Sequence, residues 1–267
     1  MKKYRTLALA STLCFALLST ACGSSNTTDS SSKTADNGVV LTAKSDADLV
    51  HQASTLQELI DDSDFIAKVK VKKVTSSVYQ DTDSVFTSIT PEILELYKGT
   101  YQGETLDMYG GYISYSDYQS APIFQEDGAS QPFDVSSYSE KEIDTAQVYW
   151  DWCNVYIPTA DDTILYFGKQ SDDNSFMLTN AYQGLFRLEG ENWTNQALVT
   201  GTASQQEPLV TDLLTLSGAS TADCPDTGMT QTIDAVTYTY PKSDYDTMVS
   251  IPESSLITAI QDDIATE

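Results

Sequence analysis

The chain has 267 residues, enough for one large domain or two small ones with a sizeable core. With 40% hydrophobic residues and sixteen tyrosines its composition is globular, which excludes wholesale disorder. The 39 acidic against 14 basic residues give a formal charge of −25, a field that repels nucleic acid and anionic membrane surfaces.

Lys2, Lys3 and Arg5 form a basic start, and Leu7 to Leu18 an apolar run too short for the roughly 20 residues that span a bilayer. This reads as a signal peptide over 1–21. Removing its three positive charges takes −25 to −28. Leu18-Ser19-Thr20-Ala21-Cys22-Gly23 resembles the lipobox of bacterial lipoproteins, with Ser19 where the family usually has leucine. The resemblance implies cleavage before Cys22, lipid on its sulfur and attachment to the outer face of the cell membrane. The alternative is an ordinary secretory signal with a chance cysteine at its end. Residues 22–38 are rich in Ser, Thr, Asp and Asn without apolar periodicity, and read as a flexible tether. Cys153 and Cys224 are then an even pair in an exported chain, and a disulfide between them is expected. Two separate buried thiols are the other reading.

The body begins at Val39. Leu56–Ile60 reads as a short helix with Thr55 as N-cap. From Phe65 the chain alternates: Phe65, Ala67, Val69 and Val71 on one side, Lys68, Lys70 and Lys72 on the other. That is a half-buried strand, running to about Val78. Gln80-Asp81-Thr82-Asp83-Ser84 is a turn, and Val85–Lys98 a second strand broken near Pro91. Thr105–Tyr109 is a third, stopped by Gly110-Gly111.

The stretch about 112–151 loses this rhythm and reads as a long irregular insertion, with one helix near Glu140–Tyr149. Strand signals return at Val155–Ile157, Thr163–Phe167, Phe176–Leu178 and Gly184–Leu188, the last followed by a Glu-Gly-Glu-Asn turn. Residues 205–267 form a C-terminal extension with a helix at Leu209–Leu216, a strand at Thr230–Tyr240 and an amphipathic helix at Pro252–Ile264. Short strands, few helices and no βαβ alternation predict a mainly β architecture. Asp61–Val69, Ile93–Gly99, Asp162–Phe167 and Tyr182–Phe186, in that order, resemble a small β-barrel domain of exported Gram-positive proteins. That domain is itself similar to netrin-like, OB-type barrels. The resemblance implies such a barrel over 39–204, interrupted by the insertion, with an α/β extension packed on it; it implies no activity.

Candidate chemistry is sparse. The single histidine, His51, lies beside the tether with no nucleophile motif, and no Cys/His cluster has zinc spacing. The acidic groups Asp61-Asp62 with Asp64, Asp81 with Asp83, Asp161-Asp162 and Asp172-Asp173-Asn174 lack calcium-loop spacing and read as solvated surface. Lys68, Lys70, Lys72 and Lys73 invite an anionic ligand or, more simply, cross-strand pairing with Glu92 and Glu95. Aromatic residues are the most suggestive set. Tyr112, Tyr115 and Tyr118 in the insertion, and Trp150 and Trp152 beside Cys153, could stack on sugars, anchor a partner or pack a core. The expectation is therefore a lipid-anchored, non-catalytic binding or interaction module with an envelope glycan or protein as partner and no cofactor. The alternative is a carboxylate-based hydrolase of envelope glycans.

Overall fold

The structure is a computed structural model that describes residues 29–30, 38–45, 52–79, 82–125, 132–171, 175–198, 208–223, 230–233, 236–240 and 247–266. The elements in chain order begin with β1 (Asp29–Ser30), β2 (Val40–Ser45) and α1 (Leu56–Asp61). The first barrel strands follow: β3 (Phe65–Val78), β4 (Val85–Lys98) and β5 (Leu106–Tyr109). The insertion holds β6 (Gly111–Ser114), α2 (Tyr115–Gln119), a 3₁₀ turn (Pro122–Phe124), α3 (Glu140–Asp144) and β7 (Gln147–Trp152). Next come β8 (Thr163–Gln170), β9 (Phe176–Leu178), β10 (Leu185–Glu189) and β11 (Asn192–Asn195). The C-terminal part holds α4 (Pro208–Leu213), β12 (Ser220–Asp223), β13 (Thr230–Ile233), β14 (Val236–Thr239), β15 (Thr247–Pro252) and α5 (Glu253–Ile264).

β3, β4, β5, β9 and β8 close into a five-stranded barrel, with β5 and β9 parallel and the other pairs antiparallel. Numbered along the chain, the ring runs 1-2-3-5-4-1, the connectivity of an OB-type barrel. Val69, Val71, Ile89, Leu106, Met108 and Ile164 are fully buried in it. The lysine side of β3 faces out as its alternation predicts. Pro91 sits opposite Val71, next to a bulge at Lys72, where a residue without an N–H disturbs the ladder least.

β8 is the branch point between barrel and extension. One edge pairs with β3; on the other, Ile164–Tyr166 pair with β10 and Gly168–Gln170 with β9. Residues 179–184 loop out between those partners, through Asn180 and Ala181 at positive φ. Phe167 ties both ends of the excursion: its N–H donates to the Gly184 carbonyl, and its carbonyl accepts from the Thr179 N–H, each at 2.9 Å. β10 then carries the sheet outward through β11, β15 and β12. The extension is thus partly continuous with the barrel sheet. α5 begins directly after β15 and buries Leu256 and Ile260, two of the four residues on its expected apolar face.

The insertion corrects the sequence reading. It is no irregular excursion: β6 and β7 form a four-stranded sheet with β1 and β2, in the order β1-β2-β7-β6. The predicted helix at 140–149 covers only Glu140–Asp144, begun by a Ser139–Glu142 capping box. The last three residues of the predicted span, from Gln147, belong to β7. Its first five residues are all buried, so the two-residue alternation that marks a strand is missing. Val155–Ile157, expected as a strand, is non-regular and follows a turn in which the Val155 N–H donates to the Trp152 carbonyl. Gly110 and Gly111 join barrel to insertion, at φ 88° and 144°. A Cβ on Gly111 would collide with Thr87 Oγ1, so only glycine lets β6 lie this close to β4.

Two apolar cores result. The larger fills the barrel and the C-terminal sheet around Phe65, Phe167, Phe186 and Trp193. A smaller one lies beneath the insertion, between the β2–β7–β6 sheet and α2, and includes Val85 from the start of β4.

Candidate functional site

The expected ligand-stacking residues divide between packing and surface. Tyr115, Tyr118 and Trp150 are buried in the smaller core, where the Tyr118 ring lies 4.8 Å from Phe124 and 5.6 Å from Phe133. The Tyr118 hydroxyl donates to the Asp83 carbonyl at 2.8 Å. For these three the packing alternative is the one that applies, not stacking on a ligand: the insertion supplies its own core because the barrel beneath it is already closed. Tyr112 is half-buried and stacks on Tyr149 at 4.9 Å and against Tyr240 at 4.0 Å. Desolvation, with the neighbouring tyrosines and Asp151 adding to it, drives the Tyr112 hydroxyl pKa well up.

Trp152 is the member of the set that joins an accessible aromatic patch. Its ring stacks on Tyr109 at 4.9 Å and 27°. Tyr109 lies edge-on to Phe86 at 5.7 Å, and Tyr79 meets Phe86 at 5.4 Å and Tyr109 at 6.0 Å. The strand register builds this cluster. On β4, Val85, Thr87 and Ile89 turn inward, so Phe86 turns outward; on β5, Leu106 and Met108 turn inward, so Tyr109 turns outward directly opposite Phe86. Tyr79 follows β3 and is 44% exposed, while the other three are half-buried. Burial raises the Tyr109 hydroxyl pKa, with Tyr79 adding to it.

Asp107 extends the same face. It pairs with Ser88 of β4 on one side and Met177 of β9 on the other. Its side chain is buried, and its Oδ1 makes no hydrogen bond; Trp152 Nε1 likewise has no partner. The patch therefore borders on one acceptor and one donor that no described residue satisfies, which is uncommon for buried polar atoms. Sequence reading found only Trp152 here. The available signal was an aromatic residue at an outward strand position, seen at Phe86 and Tyr109, where alternation calls for a polar side chain.

Elsewhere the surface is quieter. Three of the four lysines of β3 meet a carboxylate: Lys68 with Glu253, Lys70 with Asp161 and Lys72 with Glu92. Pairing of these lysines is the simpler of the two expectations, although only Glu92 is one of the two named partners. Asp162 accepts from the Tyr156 hydroxyl and from the Thr159 amide and hydroxyl, so it braces the loop before β8. Arg187 packs 4.6 Å over the Tyr156 ring. At the other end of the β4–β5 face a cleft of about 730 Å³ is lined by Asp64, Gln102, Glu104, Gln170 and Ser175. Its two carboxylates, which a glycan hydrolase would need, each hold a backbone amide: Asp64 that of Gln170 and Glu104 that of Gln102. Among the described residues no group of three or more His, Cys, Asp or Glu is placed to hold a metal ion.

Cys153 follows β7 in a left-handed turn with Asn154, and its N–H donates to the Ser45 carbonyl at 3.1 Å. Its expected disulfide partner Cys224, the expected lipid-attachment residue Cys22, His51 and the acidic run 172–174 lie outside the described residues. Among the described residues no helix is long and apolar enough to cross a membrane. No protein-family model matches the chain, and no curated protein matches it.

Proposed function

We propose that this chain is a lipid-anchored protein of the outer face of the cell membrane, held through Cys22, and that its barrel is a non-catalytic binding module for an envelope ligand. The observation that carries the binding reading is the contiguous patch Tyr79–Phe86–Tyr109–Trp152 on the outer β4–β5 face. Aromatic rings left on a surface offer broad apolar area with polar tips, the chemistry that stacks on saccharide rings. Among the described residues, Tyr79 is one of three exposed large hydrophobic side chains, with Leu94 and Leu96, and it carries the patch to the surface. OB-type barrels bind oligosaccharides and oligonucleotides on this face, and the charge of −25 disfavours the latter. This part of the support is analogy of fold. The N-terminal basic, apolar and Cys22 pattern supports the anchor. The pairing of Cys153 with Cys224 belongs to the same exported reading.

Two experiments test it. Intact mass of the membrane-fraction protein is expected to show a chain starting at Cys22 with diacylglycerol attached; an unmodified Cys22 removes the anchor. The full chain in detergent, titrated with envelope glycan fragments and followed by tryptophan fluorescence, is expected to saturate. Tyr79→Ala and Tyr109→Ala should each weaken binding at least tenfold without shifting thermal unfolding by more than a few degrees. Variants that bind as the parent does, or the absence of any saturable signal, overturn the patch as the binding surface.

A further inference from the structure

We infer that the ligand of this patch is an amino-sugar glycan with free ammonium groups, and that Asp107 receives one of them. The inference rests on the binding reading above and adds the charge and scaffold of the ligand. Asp107 lies in the same β5 strand as Tyr109, two residues before it and therefore on the same outer face. Tyr109 stands opposite Phe86 and Asp107 opposite Ser88, so the carboxylate adjoins the aromatic rings along both strands.

The backbone at Asp107 is firmly held, since the buried Tyr166 hydroxyl donates to its carbonyl at 2.6 Å. One carboxylate oxygen is not. The residue is only 4% exposed, yet Oδ1 accepts no hydrogen bond. Lys169, two strands across the same row, makes no ion pair with it. A desolvated carboxylate oxygen without a donor is unfavourable, and a ligand that supplies a charged N–H relieves it. Ser88 and Met177 beside it are partly exposed.

Three independent forces select the same ligand charge. The faces of Tyr79, Phe86 and Tyr109 attract a cation through their quadrupoles. Asp107 attracts it by charge, and the acidic field of the whole molecule concentrates cations at the surface. A neutral sugar would gain only stacking, and an anionic polymer would be repelled. A ring scaffold is favoured over a lysine side chain because the latter loses several freely rotating bonds on binding.

Affinity of the full chain for the β-1,4-linked glucosamine dimer and for its di-N-acetylated counterpart tests this, at fixed ionic strength and a pH where the amines are protonated. The free-amine dimer is expected to bind at least tenfold more tightly. Asp107→Asn should abolish that preference, whereas Glu140→Gln, which removes one charge on exposed α3, should leave it intact. The comparison of the two dimers on the parent protein needs no variant, so it stands even if Asp107→Asn folds poorly. Equal affinities, a preference that survives Asp107→Asn, or no binding of either dimer overturns the inference. Equal affinities that Tyr109→Ala still weakens overturn the charge assignment alone and leave the binding reading intact. Tighter binding of a lysine tripeptide than of the glucosamine dimer overturns the saccharide scaffold.

Discussion

Tyr115, Tyr118 and Trp150 are sealed beneath the insertion, whereas Tyr79, Phe86 and Tyr109 lie outside it on the barrel, with Trp152 at the join. The two groups draw on the same kinds of residue and differ in what covers them. The described residues 111–125 and 132–152 fold back over the inner face of the β4 start, so Val85 is buried among them. The outer face of the same strand has no such cover at Phe86. For these two groups, the face of β4 that a ring meets separates packing from exposure.

The most severe way to break that contrast is to remove a ring from the covered group. Trp150→Ala should cost about 3–5 kcal/mol of stability in a denaturant titration, the usual range for a large buried aromatic. A loss below about 1 kcal/mol would mean that the smaller core does not hold the insertion in place.

Alkaline pH should act on the covered hydroxyls next. Burial raises the pKa values of Tyr112, Tyr118, Tyr156, Tyr166 and Tyr240 in the folded chain. An unfolded tyrosine ionises near about 10, so folding favours the protonated form. That contribution is complete below about pH 10 and is lost as the pH climbs beyond it. A fraction of the sixteen tyrosines should therefore ionise only as the circular dichroism signal collapses. Full tyrosinate absorbance near pH 10 with the fold intact would contradict the burial of these groups.

Smaller changes sharpen the comparison. Tyr118→Phe keeps the packing and removes one hydrogen bond to the Asp83 carbonyl, with an expected cost of about 1 kcal/mol. Stability unchanged within error would show that this bond is replaced by water. Tyr109→Ala should cost less than about 1 kcal/mol, as expected for a partly exposed ring, while removing binding at the patch. If it destabilised the chain as much as Trp150→Ala, the patch would be a third core rather than a surface.

The sequence was most informative where one face of a strand is buried and the other is not. Phe65–Val78 shows this best, because its apolar and lysine positions alternate and the structure places them as the pattern requires. Helix α1 was equally clear, since Thr55 accepts from the Glu58 N–H where a cap is expected. Legibility failed where burial is two-sided. β2 and β7 pair in parallel at the centre of the insertion sheet, and a strand covered on both faces has no alternation to detect. It failed again at β15, whose pairing with β11 joins residues more than fifty positions apart.

By itself, then, the sequence determined a strongly acidic chain with a lipobox-like start, a mainly β body and its principal strands, because these follow from charge, composition and local periodicity. Tertiary structure decided which pairings close the barrel, that the insertion is a sheet with its own core, and which rings remain on the surface. Those outcomes depend on contacts between distant segments. Nothing near Phe86, Asp107 or Tyr109 in the chain encodes that a strand from beyond residue 176 lies beside Asp107 or that the insertion leaves their face open.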